Sequence, residues 1–358
     1  MTTQRLPPIV LSSSRLQRVH EWLLCWYQEH GRALPWRQTR DPYAILVAEI
    51  MLQQTQVDRV VPKYREFLAA FPTIAALAAT SRGEVIRQWA GLGYNRRAVR
   101  LHQIAQQVAA DHDGLLPTDL VLLQHLPGIG RYTAAAIACF AAEAPVPVSD
   151  TNVRRVLGRV FLDAWSDDDP QTETPSERVG WPLAEAALPS NDAYAWNQAL
   201  MDLGATVCTA ARPSCLVCPL AQECEFRQRL LATTELGPLF GRAGAEPPPR
   251  QAAEQSESYR ASAHRRPRAP IGKAEPFEGS RRWYRGRILD SLRALPPGEA
   301  VPLARLGLQV RDEFALDHMG WLADLILALA ADGLVECNGD LRGSNTNALG
   351  HIEIRLPA

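Results

Sequence analysis

The sequence predicts a mainly α chain with a small α+β segment at its C-terminal end. Three observations predict it. Between about residues 14 and 227, apolar side chains recur at three- and four-residue spacing, the period of a helix with one buried face. The breaks between these windows carry Gly, Pro or Asp, and none of the windows alternates polar and apolar residues as a half-buried strand does. Past residue 280 the pattern changes to two helical windows followed by two short strand-like stretches.

The elements follow in order. "RLQRVHEWLLCWYQEH" (15–30), "VDRVVPKYREFLAAF" (57–71), "RRAVRLHQIAQQVAADH" (96–112) and "RYTAAAIACFAAEA" (131–144) each carry one apolar stripe. Residues 229–279 are rich in Pro, Ala, Ser and charge. Such a composition does not bury a core, and a mostly disordered linker is expected there, between a helical domain over 1–228 and a second domain over 280–358. In that second domain "RRWYRGRILDSLRAL" reads as a basic amphipathic helix and "HMGWLADLILALAADG" as another. "LVECNGD" and "HIEIRLPA" read as two strands around a polar turn at 338–350. Helices followed by a β-hairpin suggest a winged helix; a small appendage that only packs on its neighbour is the alternative.

At 358 residues the chain is long enough for one large domain and a small one. Its 46% hydrophobic content and formal charge of −1 fit a globular protein. The near-neutral sum hides an acidic stretch, "SDDDPQTETPSE" (166–177), set against local arginine clusters, and only local clusters matter for phosphate binding. No run approaches the roughly 20 apolar residues of a membrane span, and no signal-peptide pattern opens the chain. A cytoplasmic protein with no membrane partner is expected.

Four short stretches carry the chemistry. In "YAILVAEIMLQQTQV" (43–57) every residue from Ala44 to Leu52 is apolar except Glu49, and an unpaired buried carboxylate is costly or protonated. "CTAARPSCLVCPLAQEC" places Cys208, Cys215, Cys218 and Cys224 within 17 residues, with spacing C-x6-C-x2-C-x5-C. Four clustered thiols suit a tetrahedral zinc or a cubane iron–sulfur cluster. Only one C-x2-C knuckle is present, which favours the [4Fe–4S] cluster. "LQHLPGIGRYTAAAIA" (123–138) reads as a helix, the Pro127–Gly130 turn, and a second helix. Its glycines allow close backbone approach to a phosphate, or simply make a tight turn between core helices. In "PVPVSDTNVRRVLGRV", Asp150 precedes a helix and reads locally as an N-cap, while Arg154, Arg155 and Arg159 face solvent or phosphate.

Three segments together resemble a known family: "LPWRQTRDPYAILVAEIMLQQTQV", "LPGIGRYTAAAIACF…VSDTNVRRVLGRV" and "NQALMDLGATVCTAARPSCLVCPLAQEC". In order and spacing they are similar to the helix-hairpin-helix DNA glycosylases, and within these to the MutY-type adenine DNA glycosylases. The resemblance covers about residues 15–227. More weakly, the C-terminal "FEGSRRWYRGRILDSLR" with "ALAADGLVE" resembles the tail of short bacterial members.

The resemblance implies a helix-hairpin-helix glycosylase fold of two helical subdomains, one holding the cluster loop at 208–224. It implies a monomeric, nucleoid-associated enzyme that removes adenine mispaired with 8-oxoguanine or guanine from double-stranded DNA. Glu49 would protonate adenine N7, its apolar surroundings favouring the acid form. Asp150 would stabilise the oxocarbenium-like sugar, Asn152 would orient it, and Tyr132 would line the base pocket. The target base must leave the stack. Gln53 and Gln54 match residues at the resulting gap in the DNA, and Gly128, Gly130, Arg131 and Thr133 of the hairpin would meet the backbone.

Two departures stand out. The more familiar members carry two tyrosines after "GLG", whereas this chain has Tyr94 followed by Asn95, and asparagine does not stack as an aromatic wedge does. The tail is also too short and too helical for the nucleotide-hydrolase-like domain with which many members recognise 8-oxoguanine, so selectivity for that base is left open. Other readings are a thymine glycosylase on G·T mismatches, a lyase on oxidised pyrimidines, and a catalytically silent iron–sulfur DNA-binding protein. The lyases place a lysine where this chain has Tyr132. Arg281, Arg282, Arg285 and Arg287 in the tail are expected to contact phosphate.

Overall fold

In the computed structural model the described residues are 9–162, 174–233, 277–342 and 346–358. The acidic stretch and the expected linker fall mostly outside them. The N-terminal helices are α1 (Ser13–His30), α2 (Pro42–Leu52), α3 (Val57–Ala70), α4 (Ile74–Ala79), α5 (Arg82–Gln88) and α6 (Arg96–Asp111). Next come α7 (Leu120–His125), α8 (Arg131–Ala142), α9 (Thr151–Phe161), α10 (Glu177–Ala186), α11 (Ala193–Thr206) and α12 (Glu225–Thr233). The C-terminal segment holds α13 (Arg281–Arg293), β1 (Val301–Pro302), α14 (Leu303–Val310), α15 (Met319–Ala331), β2 (Glu336–Cys337), α16 (Thr346–Gly350) and β3 (Glu353–Arg355). The expected mainly helical architecture with a small C-terminal sheet is what forms.

Local chemistry sets the helix starts. Asp41 accepts the Tyr43 amide before Pro42 opens α2, Thr73 accepts the Ala76 amide, and Ser81 accepts the Glu84 amide. Ser280 does the same for α13 by accepting from Trp283. Each such cap satisfies an amide with no partner in the helical ladder.

The chain divides into two compact units. The first comprises 1–40, 118–120 and 129–266. Its core gathers Val19 and Leu23 of α1, Val153, Val156 and Val160 of α9, and Trp196, Leu200 and Leu203 of α11. A buried ion cluster ties it together: Asp202, fully buried, accepts from Arg37 Nη1 and Nη2 and from Arg32 Nε, each at 2.7 Å. Desolvation alone would raise the Asp202 carboxyl. The Arg37 hydrogen bonds and charge outweigh it and hold that group below the usual carboxylate range.

The second unit comprises 41–117, 121–128 and 267–358. Edge-on aromatic contacts of Phe67 with Phe71 and Trp89 pack α3 against the end of α5. A further core joins Ile288, Leu289 and Leu292 of α13 to Leu322, Ile326 and Leu329 of α15, and takes in Ile86 of α5 and Val99 of α6. The sheet has strand order β1-β3-β2, all antiparallel, with Val301 opposite Ile354 and Glu336 opposite Arg355. The two anticipated strands are β2 and β3. The third, β1, is a Val-Pro pair too short to show any alternation. A short helix, α16, interrupts the stretch read as a polar turn.

Candidate active site

Glu49 is the lone charged residue of α2 and is 7% exposed. The helix is apolar on every other side, and its neighbours along the chain, Leu46, Val47, Ala48 and Ile50, are fully buried. Past its end, Gln54 has a left-handed backbone (φ 57°), as does Tyr94 (φ 47°) in the turn before α6. A non-glycine residue pays for that geometry only when its surroundings hold it. The holder is Arg97. Its buried guanidinium donates to the carbonyls of Ile50 (3.0 Å), Met51 (2.8 Å) and Gln53 (2.6 Å), to Thr55 Oγ1 (3.0 Å), and to the carbonyls of Leu92 and Gly93 (3.2 and 3.0 Å). One side chain thus fixes both Gln53–Gln54 and the turn bearing Tyr94, whose ring is half exposed. Burial lowers the Arg97 pKa to about 10, so it stays charged at neutral pH.

In the hairpin, Gly128 has φ +74°, and a Cβ there would run into the Arg100 side chain. Gly130 is extended, and a Cβ would meet nothing within 4 Å. Its bareness serves no internal contact and leaves open space beside the start of α8. The first bond of that helix runs from the Ala134 amide to the Gly130 carbonyl. The amides of Arg131, Tyr132 and Thr133 therefore precede the ladder, where anions are favoured. The Thr133 side chain is buried, and Arg131 lies 4.0 Å over the Trp181 ring while pairing with Glu185 at 2.7 Å.

Asp150 caps α9, as its local sequence suggests, but the cap is only part of its environment. Oδ1 accepts the Val153 amide at 2.7 Å, and Oδ2 accepts Asn152 Nδ2 at 3.0 Å. Asn152 Oδ1 accepts Arg155 Nη2 at 2.8 Å, and Arg155 donates onward to the carbonyls of Gly204 (2.8 Å) and Cys208 (2.9 Å). These partners fix the amide orientation: the carboxylate only accepts and the guanidinium only donates. Gly204 is needed, because a Cβ there would come within 2.6 Å of Asn152 Cβ. Burial pushes the Asp150 carboxyl above its ordinary range, against the Val153 and Asn152 hydrogen bonds that lower it. Arg155 and Arg159 are not on a solvent or phosphate face. They are 6% and 1% exposed and turn inward, Arg159 donating to the Thr209 and Ala210 carbonyls.

Cys208, Cys215, Cys218 and Cys224 line one cavity, walled by Val156, Val160, Leu203 and Val207. Burial raises the thiols of Cys215, Cys218 and Cys224, the last to about 11, so these three favour the neutral form when bare. Only a bound cationic centre ionises such a group. Four thiols around one shared space are a donor set of the kind that holds a zinc ion or an iron–sulfur cluster.

Comparisons with known proteins show the family. Residues 47–181 match the HhH-GPD superfamily of base excision DNA repair proteins. The adenine DNA glycosylase of Mycolicibacterium smegmatis is 37% identical over 328 residues, covering 89% of this chain and 93% of that protein. The chain belongs to the adenine DNA glycosylase family. The human adenine DNA glycosylase is 43% identical over 217 residues, covering 58% of this chain and 39% of its own length. Among solved structures, a thermostable thymine-DNA glycosylase superposes with a TM-score of 0.55 at 28% identity, over 60% of this chain and 98% of its own.

Within the family frame, the structure brings Asp150 to Asn152, and gathers Gln53 and Tyr94 around Arg97 with Asn95 following. Three side chains turn out to have structural roles that the sequence reading did not give them. Arg97 and Arg155 look like surface charges in "NRRAV" and "NVRRV". Asp202 sits in the apolar run "ALMDLGA" and carried the same signal as Glu49, yet proves to be a saturated ion-pair hub. In the tail, Arg285 pairs with Asp332, and Arg287 with the Gln309 carbonyl and Asp312. Half of the four arginines expected on phosphate are thus engaged within the segment. No helix among the described residues is long and apolar enough to cross a membrane.

Proposed function

We propose that this chain is a monofunctional adenine DNA glycosylase, hydrolysing the N-glycosidic bond of adenine paired with 8-oxoguanine or guanine in duplex DNA. It acts as a monomer on nucleoid DNA during base excision repair. Glu49 gives a proton to adenine N7, and the C1′–N9 electron pair leaves with the base. The sugar is left as an oxocarbenium ion, water adds at C1′, and a proton is lost. Asp150, held on two N–H donors, presents its charge to that cation. Tyr132 lines the base pocket, and Asn152 orients the carboxylate.

Gln53, Gln54, Tyr94 and Asn95 meet the DNA where the base has left the stack, and Gly128, Gly130, Arg131 and Thr133 meet the backbone through the hairpin. Cys208, Cys215, Cys218 and Cys224 hold a [4Fe–4S] cluster, which when bound ties the 208–224 loop into one piece. The observation that carries the reading is the Asp150–Asn152 pair: a carboxylate oriented by an amide at the head of a helix, in a chain of this family.

The test is single-turnover excision on duplexes with A opposite 8-oxoguanine, G or C, and T opposite G. Adenine release, lost in Glu49→Gln and in Asp150→Asn while duplex binding persists, supports the reading. Thymine release from T·G alone would move it to the chemistry named for the superposed thymine-DNA glycosylase.

A further inference from the structure

The turn Gly91–Asn95 is unusual in its backbone. Gly91 (φ 85°), Gly93 (φ 70°) and Tyr94 (φ 47°) all lie in the left-handed region, and the non-glycine one carries a half-exposed ring. Arg97 secures the turn on one side. On another, the C-terminal segment does so through α13. Arg293 Nη2 donates to Asn95 Oδ1 at 2.8 Å, and its Nε donates to the Ile86 carbonyl at 3.0 Å. Its remaining nitrogen pairs with Asp290 at 2.8 Å, and the side chain is 11% exposed.

The contact is reciprocal. Arg87 of α5 reaches back to the carbonyls of Arg293 (2.5 Å), Leu295 (2.6 Å) and Pro296 (3.2 Å), covering the acceptors at the end of α13. The same face is locked elsewhere. The Gly83 amide donates to the Pro357 carbonyl at 2.8 Å, and Arg96 pairs with Asp332 at 3.3 Å. Arg282 stands 6.0 Å from the Tyr94 ring centroid.

We propose that Arg293 is a positioning residue for the glycosylase reaction: by holding Asn95, the C-terminal segment braces the Tyr94 turn in the conformation that engages DNA. The proposal rests on the reading of Tyr94 as a DNA contact. It accounts for the asparagine at position 95. A tyrosine there would carry its only polar atom at the far end of a ring, out of register with Arg293. Asparagine gives up stacking and supplies an acceptor close to the backbone. The segment at 280–358 is then part of the excision machinery through a hydrogen bond rather than through contacts of its own with the lesion.

The test uses the full-length chain in single-turnover excision from A opposite 8-oxoguanine and A opposite G. The variants are Arg293→Met, Asn95→Ala, their double, Asn95→Asp and Tyr94→Ala, with a thermal melt of each. Arg293→Met and Asn95→Ala are expected to slow excision about tenfold each, the worth of one hydrogen bond to a charged group. The double should be no slower than either, and Asn95→Asp, which still accepts from Arg293, should restore most of the rate. Additive losses in the double, or normal rates in both singles while Tyr94→Ala is impaired, would overturn the brace. Normal excision by Tyr94→Ala would instead overturn the reading of the turn as a DNA contact. If Arg293→Met does not fold, the contrast between Asn95→Ala and Asn95→Asp decides: equal rates in the two refute the proposal.

Discussion

Replacing Asn152 by alanine should move the acid limb of the excision rate to higher pH. Asp150 accepts two hydrogen bonds, from the Val153 amide at 2.7 Å and from Asn152 Nδ2 at 3.0 Å, and both favour its ionised form. Burial works the other way and wins, so the carboxyl titrates above its ordinary range. The proposed mechanism needs the ionised form, and activity falls as pH drops through this pKa. Asn152→Ala removes one of the two opposing bonds and leaves the backbone amide in place. A hydrogen bond to a charged group is worth about 1.5–3 kcal/mol, and one pH unit corresponds to about 1.4 kcal/mol. The limb should therefore rise by about 1–2 units, with a loss of about 10- to 100-fold at pH values below it.

The assay is single-turnover adenine release across the pH range in which the duplex stays paired. Raising the pH should recover much of the variant's rate, because the remaining carboxylate is still held by Val153. Arg155 loses Asn152 Oδ1 but keeps the Gly204 and Cys208 carbonyls, so the helix should not unravel. A rate lowered equally at every pH, with the limb unmoved, would refute the argument and assign Asn152 to packing against Gly204.

Other outcomes follow from the same geometry. Asp202→Asn leaves the Arg32 and Arg37 guanidiniums short of their counter-charge and should cost about 3–5 kcal/mol in denaturant melts. Because the folded Asp202 pKa is depressed, the wild-type contribution is present above the unfolded carboxyl pKa and is lost as pH falls through the lower folded one. That loss should be missing from the variant's acid titration. Protein purified without air should contain iron and absorb in the blue, and Cys218→Ser should lower the iron content; stoichiometric zinc without iron would refute the cluster. Borohydride should trap no covalent adduct with the duplex, because position 132 offers a phenol. The lysine on α3, Lys63, is paired with Glu66 at 2.7 Å.

Much of the fold was legible because its signals are local. A 3.6-residue period, a capping Asp or Ser, and four cysteines in one short loop can all be read without knowing what lies across the chain. Glu49 was legible for the same reason, as a charge in an apolar run. Asp202 shows the limit of that signal, since an identical pattern there is answered by arginines about 165 positions away. Arg97 and Arg293 escaped because their roles are set by acceptors on other elements, and arginine in a charged stretch reads as surface. Strand β1 escaped because two residues, one a proline, show no period. The tail arginines show the same limit: the sequence gives no sign that two of the four, Arg285 and Arg287, have Asp332 and Asp312 beside them.

The buried arginines share a chemistry that bears on the pH argument. Arg97, Arg155 and Arg159 donate chiefly to backbone carbonyls, and Arg293 to one carbonyl and one amide oxygen besides Asp290. Several of those acceptors are the last carbonyls of helices, where a cation also meets the negative end of the dipole. Arg97, lowered by burial, still titrates only at about 10. The turns carrying Gln53 and Tyr94, and the start of α9 with Asn152, are therefore held by guanidinium donors rather than by groups that titrate near neutral pH. Asp150, in contrast, is a carboxyl that burial raises above its ordinary range. A shift of the acid limb on changing Asn152 thus reports on the Asp150 carboxyl rather than on a rearranged scaffold, and this lets the pH profile separate an electrostatic role for Asn152 from a structural one.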